Sequence, residues 1–176
     1  MLELDVVVAD SYDETTQTFV SAEKVRVKLE HSLFTVSKWE SFWEEVFLSN
    51  KEKTQKQTLS YVEMMVLNEE LPPGVFHRLI ENHLEEIKRY IEAPMTGLKV
   101  VNDPNAPPSR EIVSSELIYY WMISMNIPVQ FEHWHLNRLM NLIQVFNRKN
   151  SPKKKMTQKE RRDLNRQRQR EWNTRG

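Results

Sequence analysis

The sequence predicts an α+β chain that is mostly α: a small helical domain with an N-terminal antiparallel β pair and a basic C-terminal arm. Three observations carry this. Leu2, Leu4, Val6 and Val8 alternate with Glu3 and Asp5, and Val25, Val27 and Leu29 alternate with Arg26, Lys28 and Glu30, the period of half-buried strands. From Trp39 onward the apolar residues recur at helical spacing instead. The zero net charge conceals a division: residues 148–176 hold twelve of the 25 Lys and Arg but three of the 25 acids, so a body near −9 carries an arm near +9. The expected boundary lies between a domain over 1–147 and an arm over 148–176, helical or flexible.

The polar stretch from Asp10 to Thr18 joins the two strands. An isolated two-stranded hairpin is marginal in water, so this pair must lean on the following helices or on a neighbouring subunit. Ser37 and Glu40 form a capping-box pattern that predicts a helix carrying Trp39, Phe42, Trp43, Val46 and Phe47. Lys51 to Lys56 reads as a solvated connector. Thr58 to Leu67 reads as a helix with Leu59, Val62 and Val66 on one face. Val75, Phe76, Leu79, Ile80, Leu84, Ile87, Tyr90 and Ile91 make one amphipathic helix whose first turn suits Pro72 and Pro73, with Glu85 and Arg89 spaced for an ion pair. The stretch from Ala93 to Ser109, with four prolines and Gly97, predicts a long loop in which Leu98, Val100 and Val101 can make an edge strand. Ser109 to Asn126 reads as a helix capped by Ser109, apolar all round from Leu117 to Ile123 and therefore buried on every side. Pro128 ends it. A last helix over 131–147 sets Leu136, Leu139, Met140 and Ile143 against an outward stripe of Asn137, Asn141, Gln144 and Arg148, which faces solvent or a partner groove.

Composition removes several function classes. There is no cysteine, hence no disulfide and no thiolate zinc site, which fits a reducing compartment. The start, Met1 to Asp5, has no basic n-region followed by an apolar run. The longest apolar stretch, Leu117 to about Val129, falls short of the roughly twenty residues that span a bilayer. Gly74, Gly97 and Gly176 stand too far apart for a phosphate-cradling loop, so Walker and Rossmann sites are excluded. No glycine-flanked serine elbow is present. His133 and His135, two apart on a helix, diverge by about 200° and cannot share an ion. Trp39, Trp43, Trp121 and Trp134 sit among Leu, Ile and Met at helical spacing and read as core rather than a stacking platform. No catalytic, metal or cofactor-binding residue is assigned, and the expected role is non-enzymatic.

The arm carries Lys153, Lys154 and Lys155, then a capping box at Thr157 and Glu160, then Arg161, Arg162, Arg166, Arg168 and Arg170 with only Leu164 and Trp172 apolar. A helix of this length is marginal alone, and such segments fold on RNA or DNA or on a protein surface. Nucleic acid, a protein contact such as the acidic body of a second copy, and a solvated extension all stay open.

Ser115-Glu116-Leu117-Ile118-Tyr119-Tyr120-Trp121-Met122, Ile127-Pro128, Trp134-His135-Leu136-Asn137-Arg138-Leu139 and Asn173-Thr174-Arg175-Gly176 resemble small tailed-bacteriophage proteins, the tail assembly chaperones. The likeness extends to Leu33, Trp39-Glu40-Ser41 and Lys154 to Met156; it departs at Val46, where the family pattern has proline and this chain has an uninterrupted helix. The resemblance implies an assembly factor of the host cytoplasm that binds the helical tape-measure protein, or another tail protein, while tube subunits polymerise around it. Asn137, Arg138, Asn141 and the cations of the arm are then the candidate contacts. Two alternatives accompany it: a phage protein that binds nucleic acid through the arm, and a virion structural subunit. Neither a membrane nor a cofactor is implied, and self-association is left open.

Overall fold

A computed structural model describes residues 1–97 and 112–150, together with 162, 165, 166, 168 and 169; within 10–13 and 19–22 it describes the backbone alone. The chain divides into two compact units, Met1–Phe146 and Asn147–Gly176.

The first unit is α+β and mostly helical. β1 (Leu2–Asp13) and β2 (Thr18–Leu29) pair antiparallel with Leu2 opposite Leu29 and Val6 opposite Val25; the register slips around Val8 and Ala9. The alternation works as the sequence requires: Leu4, Val6, Val27 and Leu29 are buried, while Arg26 and Asp5 meet at 3.0 Å on the open face. The hairpin leans on its own chain. After the second helix, Leu67 N–H donates to Lys28 O and Glu30 N–H to Met65 O, while the Asn68 side chain bonds both Lys28 N and Arg26 O, so this segment closes the free edge of β2.

Five α-helices follow among the described residues: α1 (Leu33–Trp43), α2 (Gln55–Met64), α3 (Glu81–Glu92), α4 (Ser115–Ser124) and α5 (Leu136–Asn150). Several of their ends differ from the sequence expectation. α1 begins a turn earlier than Ser37 because Ser32 is the cap, its Oγ accepting from Thr35 N. It stops at Trp43 and does not reach Phe47: Glu44 turns left-handed at φ 53°, and Phe47 N–H is drawn back onto the Glu40 carboxylate at 2.8 Å. α2 begins at Gln55, inside the supposed connector, because Thr54 and Gln57 make a reciprocal capping box. The long amphipathic segment is two pieces, a 3-10 turn over Val75–Arg78 entered through Gly74 at φ 77°, then α3, with Leu79 and Ile80 extended between them. Glu85 and Arg89 do not come within ion-pair distance among the described residues.

α4 begins at Ser115 with Ser114 as cap, not at Ser109, which lies outside the described residues along with the expected strand around Leu98 to Val101. It is not buried on every side: Ile118 and Met122 are enclosed, but Tyr120 is 64% and Ile123 69% exposed. The last helical segment is also divided, a 3-10 turn over Val129–His133 and then α5, because Trp134 and His135 extend to place Leu136 N–H on His31 O at 2.7 Å. One core joins all these elements. The inner face of the hairpin, Val36 and Trp39 of α1, Ile118 and Met122 of α4, and Leu139 and Ile143 of α5 all belong to it.

Candidate functional site

Residues of α2 and α3 face one another across a cleft, open on one side, with a volume of about 340 Å³. Its walls are Phe47, Tyr61, Val62, Leu84, Ile87 and Ile91. The local sequence explains each contribution. The capped start of α2 puts Val62 and Tyr61 on one face, the amphipathic period of α3 supplies Leu84, Ile87 and Ile91, and the turn made by Glu40 inserts Phe47 at the end. Phe47 lies against Tyr61 with ring centroids 4.2 Å apart.

Polar groups stand at the rim. Lys53 holds its ammonium 4.6 Å from the centre of the Phe47 ring and 5.8 Å from that of Trp39, and partial burial there lowers its pKa below the usual lysine range against the opposing pull of Glu45. Lys88, Glu92 and Thr58 complete the edge. Among the described residues neither lysine forms an ion pair: Glu45, which acts on Lys53, is bound by Lys51 at 2.6 Å and by Gln57 at 3.2 Å.

Behind the cleft lies a buried polar cluster. The Tyr61 hydroxyl is hydrogen-bonded to His31 Nδ1; the His31 and His135 rings meet edge to face at 5.1 Å, and His135 Nε2 is 3.0 Å from Tyr90 O. Tyr90 donates its hydroxyl to Glu30 at 2.6 Å, and Glu30 also pairs with the Met1 ammonium at 2.7 Å. Burial, reinforced by His135, pushes His31 down to about 3, and burial lowers His135 as well. Burial also raises Tyr61 well above the ordinary phenol range. Both imidazoles are therefore neutral at pH 7, and every polar atom traced here meets a group of the same chain.

The residues singled out in the sequence fall in different places. Asn137 is half-buried and spends its amide on Ile91 O and Ala93 O at 2.9 and 2.8 Å, so it closes the C-terminal end of α3; Asn141 does the same for Pro94 O at 2.9 Å. Their stripe does not simply face outward: Gln144 is half-buried too, its Oε1 enclosed without a partner. Arg138 is exposed and lays its guanidinium 4.2 Å from the Trp134 ring centre, beside a shallow hollow lined by Met95, Thr96 and Leu142. His133 and His135 do not share a helix: His133 ends the 3-10 turn and faces Glu132 at 3.4 Å in the open, while His135 lies in the extended segment beyond it and is buried. In the second unit Arg162, Arg166 and Arg168 are helical and exposed, whereas Lys153, Lys154, Lys155, Arg161 and Arg170 lie outside the described residues.

The cleft itself was not legible from sequence, since its walls come from segments forty residues apart; the one available signal was Lys53 set among aromatics at Phe47 and Tyr61. No helix among the described residues is long and apolar enough to cross a membrane. Comparison with known family models, with curated proteins and with solved structures finds no match.

Proposed function

We propose that this chain is a non-enzymatic tail assembly chaperone, one that binds an apolar helical client such as a phage tape-measure protein in the host cytoplasm and assists assembly of the tail tube around it. The observation that supports this most is the character of the cleft: an open apolar trough between two helices, with cations at its edge. A client that exposes apolar helical stripes before it is sheathed needs such a trough, and helix-in-groove binding is how proteins commonly provide it. The fate of the buried polar side chains agrees. His31, Glu40, Gln57 and His135 each bond another part of their own chain and so belong to the scaffold that holds the cleft. The resemblance across residues 115–139 points the same way.

Co-expression with the tape-measure protein tests the proposal. The expected result is a rise in the soluble fraction of the client and a complex that co-purifies. Unchanged client solubility with no complex overturns it.

A second reading, nucleic-acid binding through the arm, is favoured by one observation: Arg162 and Arg166 are exposed one helical turn apart, and Arg168 is exposed with them. Phosphate contacts of this kind weaken steeply with salt.

A further inference from the structure

We infer that the cleft between α2 and α3 is a socket for one large apolar side chain of a client helix, and that Lys53 and Lys88 select clients carrying a carboxylate one helical turn from that anchor. The inference rests on the reading of this chain as a binder of helical clients and deepens it. Size comes first. At about 340 Å³ the cleft stands at the small end of ligand cavities, which run from about 300 to 1,000 Å³, so it takes an anchoring side chain rather than a whole helix. Anchors of this kind carry most of the energy of an interface when they are seated in a desolvated pocket. Phe47, Val62, Ile87 and Ile91 supply the apolar walls, and Leu84, 46% exposed at the edge, offers apolar surface to whatever enters.

Charge supplies the selection. Lys53 is held at the rim by the Phe47 and Trp39 rings, is partly desolvated, and has no carboxylate within ion-pair distance among the described residues, Glu45 being engaged by Lys51 and Gln57. Lys88 likewise forms no ion pair among the described residues, even with Glu92 one turn away on the same helix. Among the residues that line the cleft two cations stand against the one acid Glu92, and Glu45, which also acts on Lys53, is shared with Lys51, within a body that is otherwise acidic. An anchor residue on a client helix has its neighbours at i−4 and i+4 above and below it along the trough, where a Glu meets a lysine and a Lys is repelled.

The experiment uses the full-length protein and fluorescently labelled amphipathic helical peptides: a Leu anchor with Glu at i−4 and i+4, the same peptide with Lys at both positions, and the Glu peptide with Ala as anchor. Anisotropy titration is expected to show the Leu-Glu peptide binding at least about fivefold more tightly than either of the others. In the Lys53→Glu, Lys88→Glu double variant the preference reverses toward the Lys peptide. Leu84→Glu, at a position half in solvent, abolishes binding of all three while circular dichroism and thermal unfolding stay as in the wild type. Equal affinity for Glu and Lys peptides overturns the selection; an Ala-anchor peptide that binds as well as the Leu peptide, or undiminished binding by Leu84→Glu, overturns the socket. A client solubilised equally by the wild type and by Leu84→Glu sinks the socket and leaves the chaperone reading intact. A client the wild type does not solubilise sinks that reading, whatever the peptides do.

Discussion

Glu40 is 8% exposed on the inner side of α1, and its two carboxylate oxygens accept one backbone N–H each, from Phe47 and from Ser115, both at 2.8 Å. One side chain thus ties the exit of α1 to the start of α4. Replacing it by Ala leaves two enclosed donors without acceptors, each a cost of about 1–3 kcal/mol, so Glu40→Ala is expected to lose roughly 2–5 kcal/mol in urea unfolding, with Glu40→Gln between it and the wild type. A loss below about 0.5 kcal/mol contradicts the role. The two buried imidazoles give a different signature. A histidine whose folded pKa is depressed binds its proton in the unfolded chain first, so His31 and His135 contribute stability that is complete above about 6.5 and is lost as pH falls below it, for His31 down to about 3. Between pH 6.5 and 5, above the range where most carboxylates titrate, unfolding free energy is expected to drop with pH by up to about 1.4 kcal/mol per unit for His31, with His135 acting in the same direction. His31→Gln, which cannot titrate, should flatten that slope; an unchanged slope measured by urea unfolding at stepped pH removes His31 from the account.

The hairpin was legible because a period of two writes itself directly into Leu2 to Val8 and Val25 to Leu29, and the inner faces of α3 and α5 were legible for the same reason at 3.6. The breaks were not. Apolar residues stand on both sides of Leu79–Ile80 and Trp134–His135, so spacing alone shows no break, and at the second one the chain extends to meet a distant partner, His31 O receiving Leu136 N–H. Nor does composition reveal burial: the apolar run of α4 looks enclosed, yet one side of it is open at Tyr120 and Ile123. The amide stripe of α5 failed in the opposite sense. Its polarity is plain in the sequence, but that the last turn of α3 lies along Asn137 and Asn141 is a tertiary fact. Asn137→Ala should therefore cost about 1–2 kcal/mol and speed amide exchange in the final turn of α3, whereas Asn141→Ala, with one exposed bond, should cost less than about 1 kcal/mol. Normal stability of Asn137→Ala together with lost client capture would reassign Asn137 from the scaffold to the binding surface.

Among the described residues, every residue of the apolar core belongs to the first unit, while the sequence of the second concentrates cations and few apolar side chains. The two units therefore answer to different forces: burial holds the body, and charge is what the arm has to offer. Truncation after Asn150, which keeps α5 and every buried apolar residue among the described ones, should leave the thermal midpoint within about 4 °C of the full-length value. The same truncation makes the protein acidic, and its consequences for binding separate the two uses of the arm. If the arm meets phosphates, the full-length chain binds duplex DNA at low salt, loses that affinity steeply as salt is raised, and the truncated chain does not bind at all, with Arg162→Ala, Arg166→Ala and Arg168→Ala together reducing the salt slope by up to about three. If the arm serves the client instead, DNA affinity is negligible from the outset and capture of the helical client weakens on truncation. A truncated chain that neither folds less well nor binds anything differently would leave the cleft as the whole of the functional surface, because the body alone holds both the fold and the trough between α2 and α3.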